Sequence, residues 1–139
     1  ITNCQVIQKG VGNQSGETQL HVSESHSGKN SMRDLNDVKS SPNETLETVE
    51  IVDHKELNKL IPNHHRIFIK IDVEGYERIV INQLIQCSFF ENVYQIFCEV
   101  DTNWIDVNSV KKMLLDKGFK SFDKIGKNPS HYDLLISRQ

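Results

Sequence analysis

The stretch Ile69-Lys70-Ile71-Asp72-Val73-Glu74-Gly75-Tyr76-Glu77 decides how the rest of the chain is read. Upstream of its carboxylates, Arg66 to Asp72 holds Ile67, Phe68, Ile69 and Ile71 in near-continuous apolar sequence, which predicts a strand covered on both faces. That strand then delivers Asp72, Glu74 and Gly75 and opens a helix over Tyr76 to Cys87. Val80/Leu84 and Ile81/Ile85 fall one turn apart along it. Were the backbone extended throughout, Lys70, Asp72 and Glu74 would share one side. Gly75 permits a tight strand-to-helix turn that brings the backbone close to a bound molecule. The carboxylates can hold a cation, accept a proton or position a hydroxyl. Equally, Asp72 or Glu74 can cap the helix, whose dipole favours a negative group. Lys70 can pair with either of them, or with Glu99 on a neighbouring strand.

Working outward, Val93 to Val100 reads as a second buried strand. Asp106 can cap a helix carrying Val107, Val110, Met113 and Leu114 that ends at Gly118. Lys120 to Lys124 and Tyr132 to Ser137 flank a turn of Gly126, Asn128 and Pro129. So short a link requires them to pair antiparallel. Upstream, Thr48 to Val52 is a strand, and Asp53 with Glu56 three residues on caps a helix whose Leu57, Leu60 and Ile61 form an apolar face before Pro62. Further upstream, Cys4 to Ile7 and Thr18 to Val22 alternate as short strands around turns at Gly10, Gly12 and Gly16. Between them and the patterned region, residues 23–47 read as a long polar loop rich in Ser, Asn, Asp and Lys.

This alternation of strands and helices predicts an α/β fold: a mostly parallel sheet with helices on both faces and an antiparallel C-terminal hairpin. Open parallel sheets place ligands at the carboxyl ends of their strands, here just after Asp72 and around Glu99 to Asp101. Trp104 lies at that end and can stack on a sugar or an adenine, or simply pack.

Composition narrows the function classes. At 139 residues, 37% of them hydrophobic, there is room for a single domain with a core. A net charge of −3 with both signs mixed gives no footprint for nucleic acid and none for an anionic membrane. No apolar run approaches the roughly 20 residues of a membrane span. With no leader-like segment visible, a cytoplasmic location is expected. Cys4, Cys87 and Cys98 are widely spaced and odd in number, which predicts free thiols and no zinc cage. The adjacent His64 and His65 would point to opposite faces of a strand, and His21 and His26 lie in or beside the loop. No metal site is expected from them. His131 reads as a surface turn residue.

The run Lys70-Ile71-Asp72-Val73-Glu74-Gly75, followed by Tyr76-Glu77, resembles the signature of FkbM-type methyltransferases. Weaker likenesses surround it: the glycine turns of Val6 to Leu20, the loop through Asn30-Ser31-Met32, Val49 to Leu57, the strand Ile96-Phe97-Cys98-Glu99-Val100, and the helix end Lys117-Gly118-Phe119. The resemblance implies a partial Rossmann-like class I methyltransferase sheet over residues 1–139. It also implies S-adenosylmethionine as cofactor and an oxygen of a sugar, glycolipid or small metabolite as methyl acceptor. Asp72, Glu74 and Glu99, in that order, are the expected catalytic carboxylates. Gly10, Val11 and Gly12, together with Asp72, are the expected cofactor contacts, although a plain turn accounts for the glycines as well. Asn30, Ser31 and Trp104 are the expected acceptor contacts.

One departure stands out. The glycine-rich turn and the ribose-binding acidic residue of such domains have no counterpart here, and would lie upstream of Ile1. A rival expectation follows: a non-catalytic, N-terminally truncated module that binds a partner or a second copy through exposed sheet edges. A nucleotide-dependent oxidoreductase sharing the sheet type is a weaker rival, because fold alone does not fix chemistry.

Overall fold

The computed structural model describes residues 3–23, 44–62, 65–73 and 75–138. Two sheets form. In the first, β1 (Gly10–Val11) pairs in parallel with β3 (Glu44–Val52), and β2 (Gly16–Ser23) pairs antiparallel with the other edge of β3. The second has the order β4 (Ile67–Ile71), β5 (Val93–Asp101), β7 (His131–Ser137) and β6 (Ser121–Ile125). Only the β4–β5 pair is parallel there; β7 runs antiparallel to both neighbours. The expected single, mostly parallel sheet is thus corrected to two mixed sheets, while the antiparallel terminal hairpin is as expected.

Three helices connect these strands, and two carry side-chain caps foreseen in the sequence. Asp53 accepts from the Lys55 and Glu56 amides to open α1 (His54–Leu60), and Asp106 does the same for Asn108 and Ser109 at α3 (Val107–Leu115). Helix α2 (Glu77–Leu84) has no side-chain cap at Tyr76. At its mouth the Gly75 amide instead donates to the Glu77 carboxylate at 2.9 Å. A 3₁₀ turn over Ser88–Asn92 buries Phe89 and Phe90 and leads into β5.

The strand pairing dictates which face is buried. Ile69, Ile96 and Ile136 lie in register across β4, β5 and β7, and so do Ile71, Cys98 and Leu134. These residues join one core cluster with Leu57 of α1, Val80, Ile81 and Leu84 of α2, and Val110 and Leu114 of α3. All three helices accordingly cover the same face of the second sheet. The opposite face carries Phe68, Lys70, Phe97, Glu99, Asp133 and Leu135, all at least partly exposed, with Phe68 at 50%. A strand covered on both faces, the expectation for β4, is corrected: its apolar run serves the core with Ile67, Ile69 and Ile71, while Phe68 stands on the open face. Hydrophobicity alone does not distinguish a residue facing the core from one on an open face.

Near the N-terminus, residues 4–9 are in no strand, and Val6 is 86% exposed, so the strand expected over Cys4 to Ile7 does not form. The β2–β3 ladder takes in Ser23 and residues 44–47 at the margins of the expected loop, pairing Ser23 with Glu44 and Val22 with Thr45. Residues 24–43 lie outside the described residues. Gly12 is fixed by packing: a Cβ there would lie 2.6 Å from Ile51 Cγ2.

Arg138 fastens the chain end to the core in a way the sequence did not advertise. Its guanidinium donates to the carbonyls of Val93, Phe90 and Lys117 and stacks 4.5 Å from the Phe119 ring. Replacing it with Met leaves the Val93 and Lys117 carbonyls without this donor, while that of Phe90 keeps the Val93 N–H. Each costs about 1–3 kcal/mol if it stays dry, so Arg138→Met is expected to destabilise the fold by at least about 2 kcal/mol in urea unfolding. Gly12→Ala should likewise lower stability, and Gly12→Ala with Ile51→Ala should recover part of the loss.

Candidate functional site

At the carboxyl end of β4, Asp72 leaves the sheet beside the end of β5. The parallel register sets Ile71 opposite Cys98, so the next residue on each strand, Asp72 and Glu99, reaches the same end of the sheet on the face without helices. Antiparallel pairing with β7 places Asp133 opposite Glu99 and His131 opposite Asp101. Six polar side chains from three strands therefore gather there: Lys70, Asp72, Glu99, Asp101, His131 and Asp133.

Their contacts form a chain. Lys70 Nζ donates to Asp72 Oδ2 at 2.6 Å. The Asp72 and Glu99 carboxyls lie close enough to share a hydrogen bond when one of them is protonated. Glu99 Oε1 lies 2.7 Å from His131 Nε2, and His131 Nδ1 lies 3.9 Å from Asp101 Oδ2. Asp101 in turn anchors the following turn through the Asn103 amide at 2.9 Å.

The two central carboxyls are driven apart in acidity. Hydrogen bonds from Lys70 and then from Glu99 hold Asp72 below the usual carboxylate range, against some burial. The hydrogen bond to Asp72 pushes Glu99 up, and burial and the Asp72 charge add to this, while His131 pulls it back. Two carboxyls with environments that separate their acidities are a common arrangement for acid–base work. A proton arriving at Asp72 moves downhill to Glu99.

Asp72 also lines an apolar cavity of about 480 Å³, whose walls include Val6, Ile7, Leu20, Val49, Val73 and Tyr76, with Gly10 at its side. That volume lies in the range of small-molecule sites. A second cavity of about 390 Å³ has Gly10, Val11, Lys70, Asp72 and Val73 among its lining residues. The structure thus brings together Asp72, Glu99, Gly10 and Val11 among the residues singled out in the sequence. Gly12 instead lines a separate hollow with Asn13, Ser15 and Tyr76. Trp104 is 47% exposed in the turn after β5 and lines none of these cavities. Glu74, Asn30 and Ser31 lie outside the described residues.

His131, which reads in sequence as a surface turn residue, joins the chain of side-chain contacts at the start of β7. Its neighbour Glu99 lies 32 positions earlier in the sequence, and only the β5–β7 register reveals the contact. The two buried thiols take no part: burial pushes Cys87 up to about 11 and Cys98 up to about 12, leaving both as protonated core groups. Among the described residues, no group of three or more His, Cys, Asp or Glu is placed to hold a metal ion. No helix among them is long and apolar enough to cross a membrane.

The acidities have a consequence for stability. Glu99 titrates higher in the fold than in the unfolded chain. Its favourable contribution is therefore complete below its ordinary value of 4.5 and is lost as pH rises through the folded value. Glu99→Gln should raise the melting temperature near pH 7, by about 1 °C once solvent screening is allowed for. The advantage should vanish below about pH 4. Scanning calorimetry at both pH values checks this.

In comparison with known proteins, a family profile described as the Methyltransferase FkbM domain matches residues 1–121. No curated protein and no solved structure matches the chain significantly.

Proposed function

The chain belongs to the FkbM methyltransferase domain family, and from that premise we propose that it forms part of a domain transferring a methyl group from S-adenosylmethionine to oxygen. The proposed acceptor is a hydroxyl of a sugar, glycolipid or small metabolite. One observation carries the reading: Asp72, kept anionic by Lys70 and Glu99, lies in the wall of an apolar cavity of small-molecule size. The cavity suits the reactive end of the cofactor, because a sulfonium is a cation that gains from a nearby carboxylate and tolerates apolar walls.

Gly10, Val11 and Asp72 would hold the cofactor. It supplies an electrophilic methyl group when bound. Asp72 is then placed to orient the acceptor hydroxyl and take its proton as the oxygen attacks. Holding the hydroxyl in line with the methyl group, at near-attack distance, is the main task of such a site. Glu99 backs Asp72, and Glu74, Asn30, Ser31 and Trp104 are the remaining residues proposed to serve catalysis or acceptor binding. We also place the protein in the cytoplasm, a setting that suits its free thiols at Cys87 and Cys98.

A second reading has its own support. Among the described residues β4 pairs only with β5, leaving its other edge without a partner strand, and Phe68 on that strand is half exposed. Such an edge favours association with a second copy or another chain. On this reading the chain is a non-catalytic binding module.

Turnover separates the two. Conversion of S-adenosylmethionine to S-adenosylhomocysteine, assayed against a panel of sugars, glycolipids and small hydroxylated metabolites, should fall about 10²- to 10⁴-fold in Asp72→Asn. Cofactor affinity should fall far less than turnover, because Gly10 and Val11 remain to hold the cofactor. Turnover equal to wild type in Asp72→Asn would remove Asp72 from the chemistry.

A further inference from the structure

Glu77 opens α2 and is the one buried carboxyl among the described residues, at 3% exposure. Burying such a group is costly unless hydrogen bonds compensate it. Glu77 Oε1 accepts from the Gly75 N–H at 2.9 Å, reaching back out of the helix into the turn that follows Asp72. We propose that Glu77 is a positioning residue of the site: through Gly75 it holds the turn from Val73 to Tyr76 in the shape that walls the cavity beside Asp72. This rests on the methyl-transfer reading of that cavity.

The turn is held at two points. Across it, the Tyr76 N–H donates to the Val73 carbonyl at 2.8 Å. At Gly75 the backbone takes a φ of 85°, a left-handed conformation that glycine adopts freely and other residues rarely do. In that conformation the Gly75 N–H meets the Glu77 carboxyl. Both ends of the turn, Val73 and Tyr76, line the cavity of about 480 Å³ together with Asp72. Val73 also lines the neighbouring cavity of about 390 Å³. Any movement of the turn therefore moves the wall against which a ligand packs.

Capping the helix does not by itself call for this arrangement. A Ser, Asp or Asn at position 76 would open α2 without burying a carboxyl. That position instead holds a tyrosine that lines the cavity, and the acceptor sits one residue on, in the core. A wall already in its binding shape spares the cost of ordering it when the ligand arrives. Glu77 thus acts on affinity, and the methyl-transfer step remains with Asp72.

The test combines amide hydrogen exchange with S-adenosylmethionine titration, both followed by nitrogen-15 NMR, on the wild-type chain, Glu77→Gln and Glu77→Leu. In the wild type the Gly75 N–H should be protected, and exchange at the rate of a free amide would overturn the proposal. Glu77→Gln keeps an acceptor oxygen, so it should keep that protection and bind the cofactor within about threefold of wild type. Glu77→Leu has no acceptor. Its Gly75 protection should be lost and its affinity should fall about tenfold, while the Val110 and Leu114 amides of α3 stay as protected as in the wild type. Should Glu77→Leu fail to fold, Glu77→Ala, which admits water to the Gly75 N–H, takes its place under the same criteria. Wild-type affinity with Gly75 unprotected would overturn the proposal, as would the full loss of affinity in Glu77→Gln with Gly75 still protected. No response of the wild-type chain to S-adenosylmethionine, with Gly75 protected, would instead remove the methyl-transfer reading of the cavity, and this role with it.

Discussion

The parallel pairing of β4 with β5 is the constraint on which the site depends. With Ile71 opposite Cys98, the two strands bring Asp72 and Glu99 to one end of the sheet, on one face. A shift of one residue in that register would turn every side chain of β4 to the other face and separate the pair. What holds the register is apolar burial beneath it: Ile71, Ile96, Cys98 and Val93 are all nearly or fully inaccessible to water. The core on one side of the sheet therefore positions the carboxyls on the other.

That division of labour explains the electrostatics. The helices lie on the buried face, so the carboxyls stand on a face that remains partly wet. Neither carboxyl suffers the full desolvation of a buried charge, and their acidities are set mainly by each other and by Lys70. A site of this kind can keep one carboxyl ionised and its partner more basic without a metal and without deep burial. His131, joined to Glu99 from β7, extends the arrangement toward solvent.

Much of the fold was legible in the sequence because it depends on local signals. Asp53 and Asp106 announce their helices by residue type and spacing, and the turn around Gly126 and Pro129 fixes the terminal hairpin. The motif from Lys70 to Glu77 likewise falls at the carboxyl end of a strand and the start of a helix, as its residue types announce. What stayed hidden is non-local. Phe68 reads as core by composition, yet its exposure is decided by which face the helices cover. The mixed two-sheet arrangement follows from pairings between segments that sequence spacing does not reveal, as between Gly10 and Ile51. His131 and Arg138 act through partners 32 and 45 positions away, and no short motif records either contact.

Methyl transfer at Asp72 requires the cavity beside it to receive S-adenosylmethionine. Amide chemical-shift mapping by NMR, with a large excess of S-adenosylmethionine added to the chain, tests it most directly, because even weak binding registers. The perturbed amides should cluster at Gly10, Val11, Val73 and Tyr76, and the pattern should be lost in a variant with the cavity filled, such as Gly10→Leu. Perturbations confined to another surface, or none at all, would contradict it.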